Sequence, residues 1–178
     1  TLAVINPHRP DCEYPFKELA GVGVVFKLIC AYEEKVIGRS RIEAAKRIFS
    51  LYADLVAIGT IADVMPIKEE NRIIVRYGLS MIENTERIGL AALIEAASAK
   101  NDAQRAMQRK KKVKITSGYI GYTIAPRINA AGRIKTASMA VELFLSTDRA
   151  RAKEIAEELC HTNKERQAEE NKIMQEVR

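Results

Sequence analysis

The sequence predicts an α/β fold, the tail of a parallel-sheet domain followed by helices and a long connector helix. Three observations predict it. Residues 55–59, Leu-Val-Ala-Ile-Gly, form a continuous apolar run of strand length with a helical pattern on either side. That is the signal of a strand buried on both faces. Residues 2–6 read as another short buried strand, ended by Asn6-Pro7. From Asp148 onward the pattern is helical to residue 178, with neither Pro nor Gly.

The elements follow in order. After a turn-rich loop over 7–15, Val22, Val25, Phe26 and Ile29 recur at the spacing of one helix face. Gly21 and Gly23 lie at its start. With no third glycine and no Walker lysine pattern they signal close packing against a sheet and not a phosphate loop. Ser40 and Glu43 form a capping-box signature opening a helix to about Tyr52. The strand 55–59 comes next. Residues 69–82 read as an amphipathic helix with Ile74, Tyr77, Gly78 and Met81 on one face, and 88–99 as a further helix. A polar stretch over 100–114 reads as loop or a frayed helix end. Residues 116–125 read as a short helix stopped by Pro126, and 127–135 as a loop. Thr136 caps a helix to about Leu145. The final helix would reach about 45 Å at about 1.5 Å per residue. Its apolar stripe is thin, and 163–171 is polar on every side, the pattern of an interdomain strut.

Composition narrows the class. Hydrophobic residues make up 47% and charged residues 29% of the 178, enough apolar surface to exclude a disordered chain. No run approaches the roughly 18 apolar residues of a membrane span. No basic-then-apolar leader opens the chain, so neither membrane insertion nor secretion is expected. Thr1 in place of Met, and a helical pattern still running at Arg178, lead us to expect a piece of a longer polypeptide. Cys12, Cys30 and Cys160 are odd in number and widely spaced, which suits free thiols in a reducing, cytoplasmic compartment. With two histidines and no paired cysteines, a zinc site is not expected.

The net charge of +6 is unevenly placed. Residues 103–141 hold nine basic residues and no acidic one, while all 23 acidic residues lie elsewhere. The positive excess therefore sits in one segment, which favours a polyanionic partner such as nucleic acid. A solvated basic loop is the plain alternative for Arg109–Lys114.

Two segments carry candidate chemistry. Asp63 stands four residues past the predicted strand 55–59, where open α/β sheets bind ligands. A carboxylate there can hold a hard cation through oxygen; capping a following helix and forming a turn before Pro66 are the alternative roles. Asp54, before the same strand, is expected at its opposite end, and no other carboxylate forms a cluster with Asp63. The second segment, Ala-Pro-Arg-Ile-Asn-Ala-Ala-Gly-Arg over 125–133, sets Arg127 and Arg133 around Asn129 and small residues. Such a loop lets backbone approach a ligand while arginines bind phosphate; a helix corner with solvent-facing arginines fits equally. Tyr119 and Tyr122 could stack on bases, but helical spacing places them in the core.

The strings GTIADVMPIKEENRIIVRYGL and IGYTIAPRINAAGRI resemble the RecJ type of single-strand-specific exonuclease, in the DHH phosphoesterase superfamily. The opening AVINPHRPDCEYPFKELAGVGVVFKL and the late NKERQAEE are similar to the same family, so the resemblance covers essentially the whole chain. It implies a 5′-to-3′ exonuclease that hydrolyses single-stranded DNA in repair and recombination with Mn²⁺ or Mg²⁺ at a two-metal site. It also implies a DHH-type parallel-sheet domain, of which 1–147 would be the C-terminal part. Residues 148–178 would be the connector toward a DHHA1 domain. Asp63 matches the last metal aspartate of the DHH domain. Arg127, Asn129 and Arg133 match the loop facing DNA, and Arg166 and Gln167 match the polar stretch of the connector.

The family's other aspartate motifs and its DHH triplet have no match in this chain, nor does its glycine-histidine motif. The chain alone is therefore expected to be inactive, with an incomplete metal site. Single-stranded DNA is the expected partner, with a helicase and a single-strand-binding protein as further ones. Two other readings compete: a DHH phosphodiesterase acting on short oligonucleotides or cyclic dinucleotides, and a non-catalytic relative serving as a replication scaffold. The first should lack the RINAAGR segment. Asp63 and both loop arginines argue against the second.

Overall fold

The computed structural model describes residues 3–98, 113–134 and 138–176, with side chains at all of these but 131–134. Every regular element among the described residues is a helix. The chain divides into two compact units, Thr1–Glu83 with Ile115–Ser117, and Asn84–Lys114 with Gly118–Arg178.

The first unit contains α1 (Gly21–Lys35), α2 (Arg41–Ala62) and α3 (Glu69–Glu83). The capping box opens α2 as read: the Glu43 amide donates to Ser40 Oγ at 3.3 Å, and the Ser40 amide donates to the Glu43 carboxylate at 3.1 Å. Nothing in the next 22 residues stops the helix. It runs through 55–59, so the predicted strand is the middle of α2. The expectation of an α/β parallel-sheet fold is overturned here, because the described residues contain no strand.

The physical reason lies in the packing. Both α1 and α3 pack on α2, and Val56, Ala57 and Ile58 are buried. A helix covered from two sides shows a short continuous apolar run, which periodicity cannot distinguish from a buried strand. The helix read as ending near Tyr52 continues through 55–59 to Ala62, and the helix read over 69–82 is α3. Residues 3–6, the other predicted strand, have no regular structure.

Phe26, Ile48, Val56 and Ile74 form the core of this unit, with Phe49 packed against it. Phe26 and Phe49 meet edge-on at 5.7 Å between ring centres. Burial of each large apolar side chain contributes about 1.5–3 kcal/mol. The helix read at 69–82 forms, but Tyr77 of its predicted face is half exposed, while Ile74, Gly78 and Ile82 are buried. At Gly78 α3 lies directly against α2: an added Cβ would overlap the Ala53 carbonyl and the Ala57 methyl.

The second unit holds α4 (Ile88–Ser98), α5, α6 (Ser138–Leu145) and α7 (Arg149–Glu176). Helix α5 is a continuous run: one turn at Ser117–Tyr119, a π-helical segment Ile120–Ile124, then α-helix Ala125–Ile134. The predicted stop at Pro126 and the predicted loop over 127–135 are thus overturned as far as residue 134. Proline cannot donate the usual backbone hydrogen bond and its ring crowds the preceding turn. The wider π turn just ahead of Pro126 takes up that misfit, so the helix continues.

Asp148 caps α7 by accepting the Ala150 amide at 2.8 Å. Helix α7 packs on α4 and α5 through residues from Ala152 to Asn163. Beyond that stretch Ile173 and Met174 are exposed.

Candidate functional site

Asp63 caps the C-terminus of α2 and not the end of a strand. Its amide donates to the Gly59 carbonyl at 2.9 Å, and its side chain is exposed. A helix C-terminus carries partial negative charge, so an aspartate there opposes the helix dipole. The last turn of α2 has no basic residue to offset it. The same arrangement is favourable for a cation, which meets a hard oxygen donor at the negative end of a helix. Asp54 lies nine positions earlier on α2, half a turn around and about 13.5 Å along the axis. It is 3% exposed and accepts the Leu55 amide at 2.8 Å, so it does not converge with Asp63.

Among the described residues no three His, Cys, Asp or Glu side chains cluster as a metal would require. Asp63 fits the role of a single ligand, and the remaining donors of a two-metal site would have to come from elsewhere.

The turn after Asp63 is tightly determined. The Val64 amide donates to the Ile61 carbonyl at 3.1 Å, and the Met65 amide to the Thr60 carbonyl at 3.2 Å. This is a Schellman closure, in which a left-handed residue follows the C-cap. That residue is Val64, with φ of 55°. Beyond the turn, Glu70 at the start of α3 anchors to the rest of the unit. It accepts the Tyr14 hydroxyl at 2.7 Å and pairs with Lys27 at 2.7 Å. Burial, then the hydrogen bond to Glu70, push the Tyr14 hydroxyl above its ordinary pKa. For Lys27 burial is the largest influence and lowers the pKa, but the bonds to Glu70 and Tyr14 outweigh it and the net shift is upward. Both groups therefore keep their protons at neutral pH.

The 127–133 residues do not share one loop. Arg127 is half-buried and turned toward α7: Nε donates to Cys160 Sγ at 3.3 Å, and Nη1 donates to the Thr123 carbonyl in the π segment. Asn129, two positions on, is exposed. A two-residue step on a helix turns the side chain well over a right angle, which separates Arg127 from Asn129. The backbone of Arg133 follows one turn after Asn129 in α5; its side chain lies outside the described residues. On α7, Arg166 pairs with Glu170, and its Nη2 reaches Asn163 Oδ1 at 3.4 Å. Gln167 beside it is exposed. Much of the basic segment, 103–112 and 135–137, lies outside the described residues.

Tyr122 is a surface residue that helical spacing assigned to the core. It is 87% exposed, on the π segment ahead of Pro126. Tyr119 is half-buried, with its hydroxyl 3.3 Å from Ser98 Oγ. The ideal helical period carries no sign of the π turn ahead of Pro126, and that wider turn moves Tyr122 off the face an ideal helix would give.

No protein-family model matches the chain. Curated relatives do. The single-stranded-DNA-specific exonuclease RecJ of Bacillus subtilis is 41% identical over 175 residues, covering 98% of this chain and 19% of that protein. RecJ of Escherichia coli is 37% identical over 168 residues, covering 92% of this chain and 27% of the relative. A crystal structure of RecJ with Mn²⁺ from Thermus thermophilus superposes with a TM-score of 0.71 at 32% identity, over 95% of this chain and 22% of that one. A crystal structure of exonuclease RecJ bound to manganese gives 0.70 at 32% identity, over 93% of this chain and 37% of that one. The resemblance to RecJ-type exonucleases therefore holds in sequence and in fold along nearly the whole chain. The chain spans about a fifth to a quarter of the length of these curated relatives.

Proposed function

We propose that this chain is an internal segment of a RecJ-type exonuclease that hydrolyses single-stranded DNA. The observation that carries this reading is the agreement of sequence and fold over more than nine-tenths of the chain with proteins named for that activity. The similar structures are complexes with Mn²⁺ and with Mg²⁺, and we assign the same divalent chemistry here. Asp63 contributes one oxygen ligand, set at the negative end of α2. When bound, the metal ions would activate water and neutralise charge on the scissile phosphate.

The second unit serves the strand. Asn129, Arg133 and Gln167 supply polar contacts. Arg127 and Arg166 are held by Thr123 and Cys160 and by Glu170, so a phosphate would compete with an existing partner at each. In this reading 1–147 form the C-terminal part of a DHH domain and 148–178 the connector to a DHHA1 domain. The first half of the connector packs within its own unit, and the exposure of Ile173 and Met174 leaves apolar surface for a further domain. Digestion would run 5′ to 3′, in the cytoplasm, during repair and recombination, alongside a helicase and a single-strand-binding protein. No helix among the described residues is long and apolar enough to cross a membrane.

The test uses the full-length protein carrying this chain. With Mn²⁺ it should release nucleotides from the 5′ end of a single strand and spare the duplex. The 178-residue chain alone should release none. Equal degradation of duplex, or activity indifferent to chelator, would refute the proposal.

A further inference from the structure

The turn that follows Asp63 is bracketed by two residues in the left-handed region, Val64 with φ of 55° and Glu69 with φ of 44°. Neither is glycine. For a β-branched residue this conformation is an outlier, because Cβ crowds the backbone. Val64 gains nothing locally in return, since its side chain is 87% exposed. A strained turn persists only where its surroundings over-determine it.

The device that does so is Asn71, on the first turn of α3 and fully buried. Its Nδ2 donates to the Pro66 carbonyl at 3.0 Å, in the middle of the turn, and to the Glu18 carbonyl at 2.7 Å, ahead of α1. Both partners are acceptors, so only the amide's NH₂ can face them, and both of its hydrogens are used. Lys68, inside the same turn, pairs with the Glu18 carboxylate at 2.9 Å. One buried side chain thus ties the turn to α3 and to the segment ahead of α1.

We propose that Asn71 is a positioning residue: its amide clamps the 64–69 turn in its strained form and so fixes Asp63, at the start of that turn, for cation binding. This rests on the reading of Asp63 as a metal ligand. Hard cations demand closely placed oxygens, and Mg²⁺ tolerates little departure from octahedral geometry. Groups that orient a ligand typically matter about 10- to 100-fold in metal affinity.

The test compares Asn71→Ser, Val64→Gly, the double variant and Asp63→Asn in the full-length protein. Amide hydrogen exchange at Val64 and Met65 is read without metal, and Mn²⁺ binding by electron paramagnetic resonance of the free ion. Asn71→Ser should speed exchange at both amides and weaken Mn²⁺ binding by about 10- to 100-fold. Glycine at 64 needs no clamp to keep a positive φ, so Val64→Gly/Asn71→Ser should recover binding relative to Asn71→Ser. If Asn71→Ser does not fold, the double variant should; failure of both to fold overturns the proposal. Unchanged exchange in Asn71→Ser also overturns it. So does faster exchange with unchanged Mn²⁺ binding while Asp63→Asn binds weakly, which makes Asn71 merely structural. Normal Mn²⁺ binding in Asp63→Asn removes the ligand reading itself, and the positioning role with it.

Discussion

Tyr122 shows how one residue bears on the proposed nucleic-acid interface. A tyrosine exposed over 87% of its surface buries little within the described structure, yet its ring costs hydration to display. Bases stack on such rings without regard to sequence, each stack contributing about 1–3 kcal/mol. We predict that Tyr122→Ala weakens binding of a single-stranded oligonucleotide to the full-length protein by about 5- to 150-fold. Thermal stability should hardly move, because an exposed side chain leaves no cavity. Fluorescence anisotropy with the labelled strand measures the first and a thermal melt the second. Wild-type affinity in the variant would remove Tyr122 from the interface. Among the residues chosen from the sequence, Arg127 changed most in meaning. Its guanidinium holds the π segment to α7 through Thr123 and Cys160, so its loss affects the fold before it affects any phosphate.

At the scale of elements, α2 and α5 explain what was legible and what was not. The start of α2 was readable because a capping box is a local device, written in two residues three apart. Its length was not, because burial between α1 and α3 is a property of the assembled unit and erases the polar face that marks a helix. Helix α5 failed for the opposite reason: Pro126 is a strong local breaker, and a π turn upstream overrode it. The contact of α2 with α3 offers a test at this scale. Gly78→Ala places a methyl group against the Ala53 carbonyl and the Ala57 methyl. Alanine is the better helix former by about 1 kcal/mol, but overpacking costs about 1–3 kcal/mol and backbone on one side cannot yield. We predict a net loss of stability in chemical denaturation. A variant more stable than wild type would show that α3 can move away from α2.

For the whole molecule, the family resemblance was legible while the layer architecture was not. Long strings such as GTIADVMPIKEENR preserve identity regardless of whether their middle is read as strand or helix. The position of Asp63 beyond a buried element survived that error, since a C-cap and a strand end both expose the next side chain. Its electrostatic setting did not survive, because only a helix supplies a dipole. The clamp by Asn71 was invisible, as its partners Glu18 and Pro66 are brought to it by folding. The chain covers 19% of its Bacillus subtilis relative, so under the proposed reading the other donors of a metal site would have to come from outside it. Nuclease activity of the full-length protein with Asp63→Asn, titrated with Mn²⁺, is the most direct test of the central claim. The substitution keeps the size of an exposed side chain and removes its charge, so folding should be nearly unaffected. The expected result is a loss of nucleotide release of about 100-fold or more even at saturating Mn²⁺, the scale of removing a group that stabilises developing charge. Release close to wild type at saturating Mn²⁺ would contradict the assignment of Asp63.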